Sequence, residues 1–132
     1  MHLVDTNVIS EARRKSPVAV DWLRSVPAAG IWLSVITLGE IMRGVAMKQR
    51  SDAAQAARLL EWLEGLRRDH ADRILPVTAD ISLRWGRIAG LRARGEADGL
   101  IAATALVHGL TLVTRNVADF EDCGVEMVNP WG

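Results

Sequence analysis

Cysteine is all but missing from this 132-residue chain, in which Cys123 stands alone. An internal disulfide and a zinc site built on several thiolates are both excluded, and a reducing compartment suits a single thiol. Long apolar runs are missing too: nothing approaches the roughly 18 consecutive residues that a membrane span needs. The opening Met1-His2-Leu3-Val4-Asp5 carries no basic segment ahead of an apolar one and meets a carboxylate at once, so the expectation is a cytoplasmic protein without an export signal. Aromatic residues are few, and the five tryptophans fall mostly on apolar faces as core or interface anchors rather than in a strip that would stack bases. Neither standard glycine-rich phosphate loop occurs. His2 lies in a strand and His70 and His108 lie at helix ends, so a nuclease working through paired histidines is unsupported. Net charge is zero, with sixteen acids against sixteen bases. That argues against coating nucleic acid through overall positive charge and leaves room only for a local basic rim.

What is present reads as one folded domain over residues 1–132, with 49% apolar and 24% charged residues and neither repeats nor a linker. Leu3-Val4 is a short apolar run closed by Asp5-Thr6-Asn7, and Val8 to Arg14 reads as a first helix. Ser16-Pro17 starts a second, to about Ser25, with Val18, Trp22 and Val26 on its inner face. Ile31-Trp32-Leu33 is a second strand, followed by a helix to about Lys48, and Ser51 caps a longer helix with Ala56, Leu59, Leu60, Leu63 and Leu66 inward. Ile74 to Val77 is a third strand, at an edge because of Pro76. Thr78 caps a helix with Ile81, Trp85, Ile88 and Leu91 buried, ending near Arg94-Gly95, and a deeply buried helix runs from about Asp98 to His108. Gly109 ends it, Leu110 to Val113 is the fourth strand, and Glu126 to Val128 the last. Strands alternating with helices predict a mostly parallel sheet of four to five strands covered on both faces, with ligands at the carboxyl ends of the strands.

Four acids fall at that edge. Asp5 follows the first strand, Glu40 lies in the helix after the second, Asp98 opens the buried helix and Asp119 follows the fourth strand. A carboxylate such as Glu40, among Leu38, Ile41 and Met42, needs a partner, and a divalent cation shared by all four would serve. Mg²⁺ takes oxygen ligands and keeps several waters, which suits phosphodiester hydrolysis. Thr6, Asn7, Thr114 and Asn116 are neutral oxygen donors beside those acids, and Arg13, Arg14, Arg43 and Arg115 are candidates for phosphate contact. Singly, each acid has a plainer role: Asp5, Asp98 and Asp119 as helix or turn caps, Glu40 as a solvated surface acid.

The blocks Val4-Asp5-Thr6-Asn7-Val8-Ile9-Ser10-Glu11, Leu33 to Glu40, Asp98 to Ala105 and Leu112 to Phe120, with Leu75-Pro76-Val77, Trp85-Gly86-Arg87 and the closing Asn129-Pro130-Trp131, resemble PIN-domain toxins of the VapC and FitB type nearly from end to end. The resemblance implies a PIN-like three-layer α/β/α domain and an endoribonuclease working with Mg²⁺ or Mn²⁺. Asp5, Glu40, Asp98 and Asp119 would be its metal-binding acids, with Thr114 and Asn116 as auxiliary polar residues. It further implies a homodimer, a cognate VapB- or FitA-like antitoxin, RNA as substrate, and operator DNA reached through the antitoxin. The run Arg94-Gly95-Glu96-Ala97-Asp98 is shorter than the family's usual connection there, which raises the expectations that Asp98 is displaced, that Glu96 competes for the metal or that the substrate groove is more open. Two alternatives stand beside the toxin reading. One is a PIN-fold binding module impaired in catalysis that keeps antitoxin binding. The other is a haloacid-dehalogenase-like phosphotransferase using Asp5, although Asn7 stands where its second Asp belongs and no lysine follows Lys48.

Overall fold

Neighbouring residues of a strand face opposite ways, and in this chain both faces are apolar. Leu3 and Leu112 point into one core cluster, with Leu75, Ile81, Ile88, Ile101, Ala102 and Phe120; Val4, Leu33 and Val113 point into another, with Val8, Ile9, Ala19 and Ile31. A sheet apolar on both sides must be covered on both sides, and the computed structural model, which describes residues 1–132, is such a three-layer arrangement.

The elements are β1 (His2–Val4), α1 (Thr6–Arg13), α2 (Pro17–Ser25), β2 (Ile31–Ser34), α3 (Val35–Lys48), α4 (Ala53–Asp69), β3 (Ile74–Leu75), α5 (Ala79–Ala89), α6 (Glu96–His108), β4 (Thr111–Val113) and β5 (Met127–Val128), with single 3-10 turns at Ala28–Gly30 and Val117–Phe120. All five strands are parallel, in the order β3-β2-β1-β4-β5. β3 is the edge strand that Pro76 predicts. The chain builds outward from β1 to β3 and then returns to the other side of β1, so the strand order reverses between β1 and β4. Such a switch opens a crevice at the carboxyl ends of the two strands.

The differences from the sequence reading have local causes. α1 begins at Thr6 rather than Val8, because the Asp5 carboxylate caps it by accepting from the Thr6 N–H at 2.7 Å. Asp52, not Ser51, caps α4 through the Gln55 N–H. In α2 the inward residue is Ala19, fully buried and small enough for close packing, while Val18 is exposed. α5 stops at Ala89, five residues early, and Leu91 stands in solvent. α6 starts at Glu96 with Gly95 as its N-cap, so Asp98 lies in the first turn and is not a cap. Gly109 ends α6 at φ +64°, a backbone that a Cβ would strain.

α6 supplies the centre of the core, with Ile101 to Ala105 buried. It approaches α5 closely enough that a Cβ on Gly99 would meet the Trp85 ring at 2.9 Å. Gly99→Ala is therefore expected to force the indole aside and cost about 1–3 kcal/mol, read as a lowered midpoint of urea unfolding; an unchanged midpoint would show that Trp85 moves freely.

Candidate active site

Asp5 leaves the sheet still paired, its N–H donating to the Val113 carbonyl at 2.9 Å, so its side chain emerges at the β1–β4 switch. The carboxylate is 3% exposed. Its Oδ1 caps α1, while its Oδ2 accepts from the buried Thr114 hydroxyl at 2.8 Å and from the Asn7 amide at 3.4 Å. The cap and the member of an acid group are thus one residue. Thr114 stands in the same place on β4 as Asp5 on β1, and its Oγ1 also accepts the Asn116 N–H at 3.1 Å. Asn7 Oδ1 accepts the Arg115 N–H at 3.3 Å, tying the loop after β4 to the first turn of α1.

Glu40 enters from α3. The Thr6 hydroxyl donates to its Oε1 at 2.7 Å and shares a 3.0 Å hydrogen bond with the buried Thr37 hydroxyl, so Glu40 points toward the strand ends rather than into solvent. Asp98 enters from the first turn of α6 and is half-buried.

The charges interact. Burial, followed by the Asp98 and Glu40 charges, drives the Asp5 pKa up to about 6 against the opposing Thr114 and Thr6 hydrogen bonds. Burial likewise raises Asp98, helped by Glu40 and Asp119 and opposed by Arg94. Asp5, Glu40 and Asp98 therefore form one electrostatic group, which Asp119 joins through Asp98 from an exposed position at the rim. Glu96 is exposed and is not among the charges that act on Asp5 or Asp98, whereas Asp98 stays close enough to the other acids for their charges to act on it.

The candidate phosphate ligands divide. Arg115 stays at the rim, its guanidinium 4.7 Å from the Trp131 ring. Arg43 is exposed on α3, one turn beyond Glu40. Arg13 and Arg14 are not at the site, because α1 starts beside Asp5, its N-cap, and carries them to its far end, about 12 Å along the helix axis. There Arg13 lies over Trp62 and Arg14 pairs with Glu11. Two residues escaped the sequence reading. Thr37 lies one turn before Glu40, a spacing that places both on one helix face, and Arg94 could be found only from its contacts across the chain.

No three Asp, Glu, His or Cys side chains come close enough to enclose an ion by themselves. The donor set nonetheless suits one kind of ion. It is all oxygen and short of positive charge, with Arg94 the only cation acting on Asp98 and none on Asp5. Mg²⁺ keeps several waters and takes one or two carboxylates plus phosphate rather than a closed protein cage, so an open group of acids fits it.

A five-stranded parallel sheet covered by helices on both faces is also the architecture of a known family. Residues 2–124 match the PIN domain family, and the chain belongs to it. It is 37% identical to toxin FitB of Neisseria gonorrhoeae over 99% of both chains, and 33% identical to the VapC ribonuclease Y4jK of Sinorhizobium fredii over 99% of this chain and 98% of that one. The fold superposes with a TM-score of 0.88 on a chain from the structure of FitAB bound to the IR36 DNA fragment, at 35% identity, covering 100% of this chain and 96% of the other. No helix is long and apolar enough to cross a membrane.

Proposed function

We propose that this protein is the toxin of a toxin–antitoxin pair, an endoribonuclease that hydrolyses RNA phosphodiester bonds with Mg²⁺ or Mn²⁺ at Asp5, Glu40, Asp98 and Asp119. The observation that carries this reading is Asp5, a buried carboxylate pushed up to about 6 by burial and by two further acids that reach it from α3 and α6. Burying a charge among like charges costs free energy unless a cation joins them, and perturbed acids gathered at a crevice mark functional sites. The ribonuclease and toxin relatives supply the chemistry and the biological setting.

A divalent ion held by these acids would supply Lewis-acid polarisation of a phosphoryl oxygen and make nearby water more acidic. The chain's own residues do the positioning. Thr114 and Asn7 orient Asp5, and Thr6, backed by Thr37, aims Glu40. Arg115, with its guanidinium stacked on Trp131, offers a planar fork for an RNA phosphate, and Arg43 can steer the strand. The FitAB–DNA structure supports an antitoxin partner through which operator DNA is reached, and we extend that assembly to a toxin homodimer. A phosphotransferase reaction at Asp5 is disfavoured, because Asn7 stands where that chemistry needs a second acid and the only lysines, Lys15 and Lys48, both precede the later strands.

The test is cleavage of single-stranded RNA by purified protein in Mg²⁺, with EDTA abolishing it and Mn²⁺ restoring it. Cleavage that persists in excess EDTA, in a preparation free of host nuclease, sinks the reading. Tight antitoxin binding with no cleavage under any metal would instead assign an impaired binding module.

A further inference from the structure

Between α5 and α6 the chain crosses the loop that carries Asp119, and two arginines fasten them together. Arg94 is the inner one, with its side chain only 5% exposed. Its Nη1 donates to the Asp119 carbonyl at 2.8 Å and to Cys123 Sγ at 2.9 Å, and its Nη2 donates to Asp122 Oδ2 at 2.8 Å. Arg92, outside it, donates from Nε to the same Asp122 oxygen at 3.1 Å and from Nη2 to the Ala118 carbonyl at 3.0 Å. Three different acceptors within residues 119–123 thus converge on one guanidinium: a main-chain carbonyl, a thiol and a carboxylate. Arg94 Nε is buried without a hydrogen-bond partner. Burying a guanidinium with one donor unmet is unfavourable, so a role beyond local stability has to be sought.

Position suggests that role. Arg94 lies four residues before Asp98, and it grips the main chain of Asp119 itself. We infer that Arg94 is a positioning residue for the proposed cation site, the part that sets where Asp119 stands relative to Asp98. This rests on the reading of those acids as metal ligands. The planar fork is what the task requires, because a lysine ammonium is a point charge that cannot reach carbonyl, thiol and carboxylate from one plane. It also accounts for the early end of α5. A helix continued through Arg94 would turn these side chains around its axis, whereas the open strap lets both reach the same loop.

The test is binding of Mn²⁺ alone, without RNA, to the full chain, followed by the loss of the free-ion electron paramagnetic resonance signal. Arg94→Lys is expected to weaken Mn²⁺ binding about tenfold, the size typical of removing a group that orients a metal ligand. Amide hydrogen exchange over residues 117–122 should speed up while the Asp5 amide, bonded to Val113, stays protected. Asp122→Asn, which keeps both Nη1 bonds, should lose only a few-fold. Leu63→Ala, a core truncation between α3 and α4, serves as the control for lost stability and should leave the Mn²⁺ affinity unchanged. Wild-type protein that binds no Mn²⁺ overturns the cation site and this inference with it. Wild-type binding matched within about twofold by folded Arg94→Lys, or lost equally in Leu63→Ala, overturns the role of Arg94 alone.

Discussion

Asp5→Asn is expected to lower Mg²⁺-dependent RNA cleavage by at least about a thousandfold while raising the melting temperature of the metal-free protein at pH 7.5. The two effects share a cause. In the folded protein the Asp5 pKa stands at about 6, against 3.8 ordinarily, and each unit corresponds to about 1.4 kcal/mol. Because the folded value is raised, the native state holds a proton that the unfolded chain has released between about pH 4 and pH 6. Stability therefore falls as pH rises through that window and stays lowered above it, by an amount on the order of 3 kcal/mol. Asparagine removes the charge and keeps the shape: its oxygen can accept the Thr6 N–H and its amide can donate to Thr114. Since it accepts more weakly than a carboxylate, the net gain should be about 1–2 kcal/mol, or several degrees in a thermal melt. Added Mg²⁺ should raise the melting temperature of the wild type and not that of Asp5→Asn, because only the wild type presents the buried charge. A variant that loses cleavage and also melts lower in EDTA would mean that Asp5 serves the fold as a cap and no more.

The ladder of elements was legible because both signals that specify it are local. The apolar pairs Leu3-Val4 and Leu112-Val113 announce strands covered on both faces, and the 3.6-residue spacing of Ile81, Trp85 and Ile88 announces a helix lying on one of them. The candidate acids stood out for a different reason: Asp5 and Asp119 follow strands and Asp98 falls in the first turn of a helix, points that parallel strands bring to one edge, while Glu40 stood out as a charge in an otherwise apolar stretch of α3. Boundaries failed where a side chain took a main-chain partner that spacing does not show, as when Asp5 capped α1 two residues early or Arg92 and Arg94 left the α5 helix for the Asp119 loop. Arg13 and Arg14 misled because nearness in sequence to Asp5 is not nearness in space along a helix that runs away from it. Thr37 and Arg94 act through contacts made only after folding, and no period in the sequence encodes them.

Thr114 gives the second large effect. Its hydroxyl is fully buried, donates to Asp5 Oδ2 at 2.8 Å and accepts the Asn116 N–H at 3.1 Å. It is the leading influence that holds the Asp5 pKa down against burial and the neighbouring acids. At Mg²⁺ concentrations below saturation the proton and the cation compete for Asp5, so wild-type cleavage should fall about tenfold per unit as pH drops below about 6. Thr114→Val keeps the volume and deletes the donor. A hydrogen bond to a charged group is worth about 1.5–3 kcal/mol, so the acid limb should move up by about one to two units. Activity at pH 6.5 then falls at least several-fold while activity at pH 8.5 recovers most of the loss, a pattern that general destabilisation does not produce. Raising Mg²⁺ should pull the limb of the variant back toward that of the wild type, because the cation displaces the proton from the same oxygens. If the profile of Thr114→Val is lowered uniformly across pH with no shift of its limb, Asp5 is not the group whose ionisation governs cleavage.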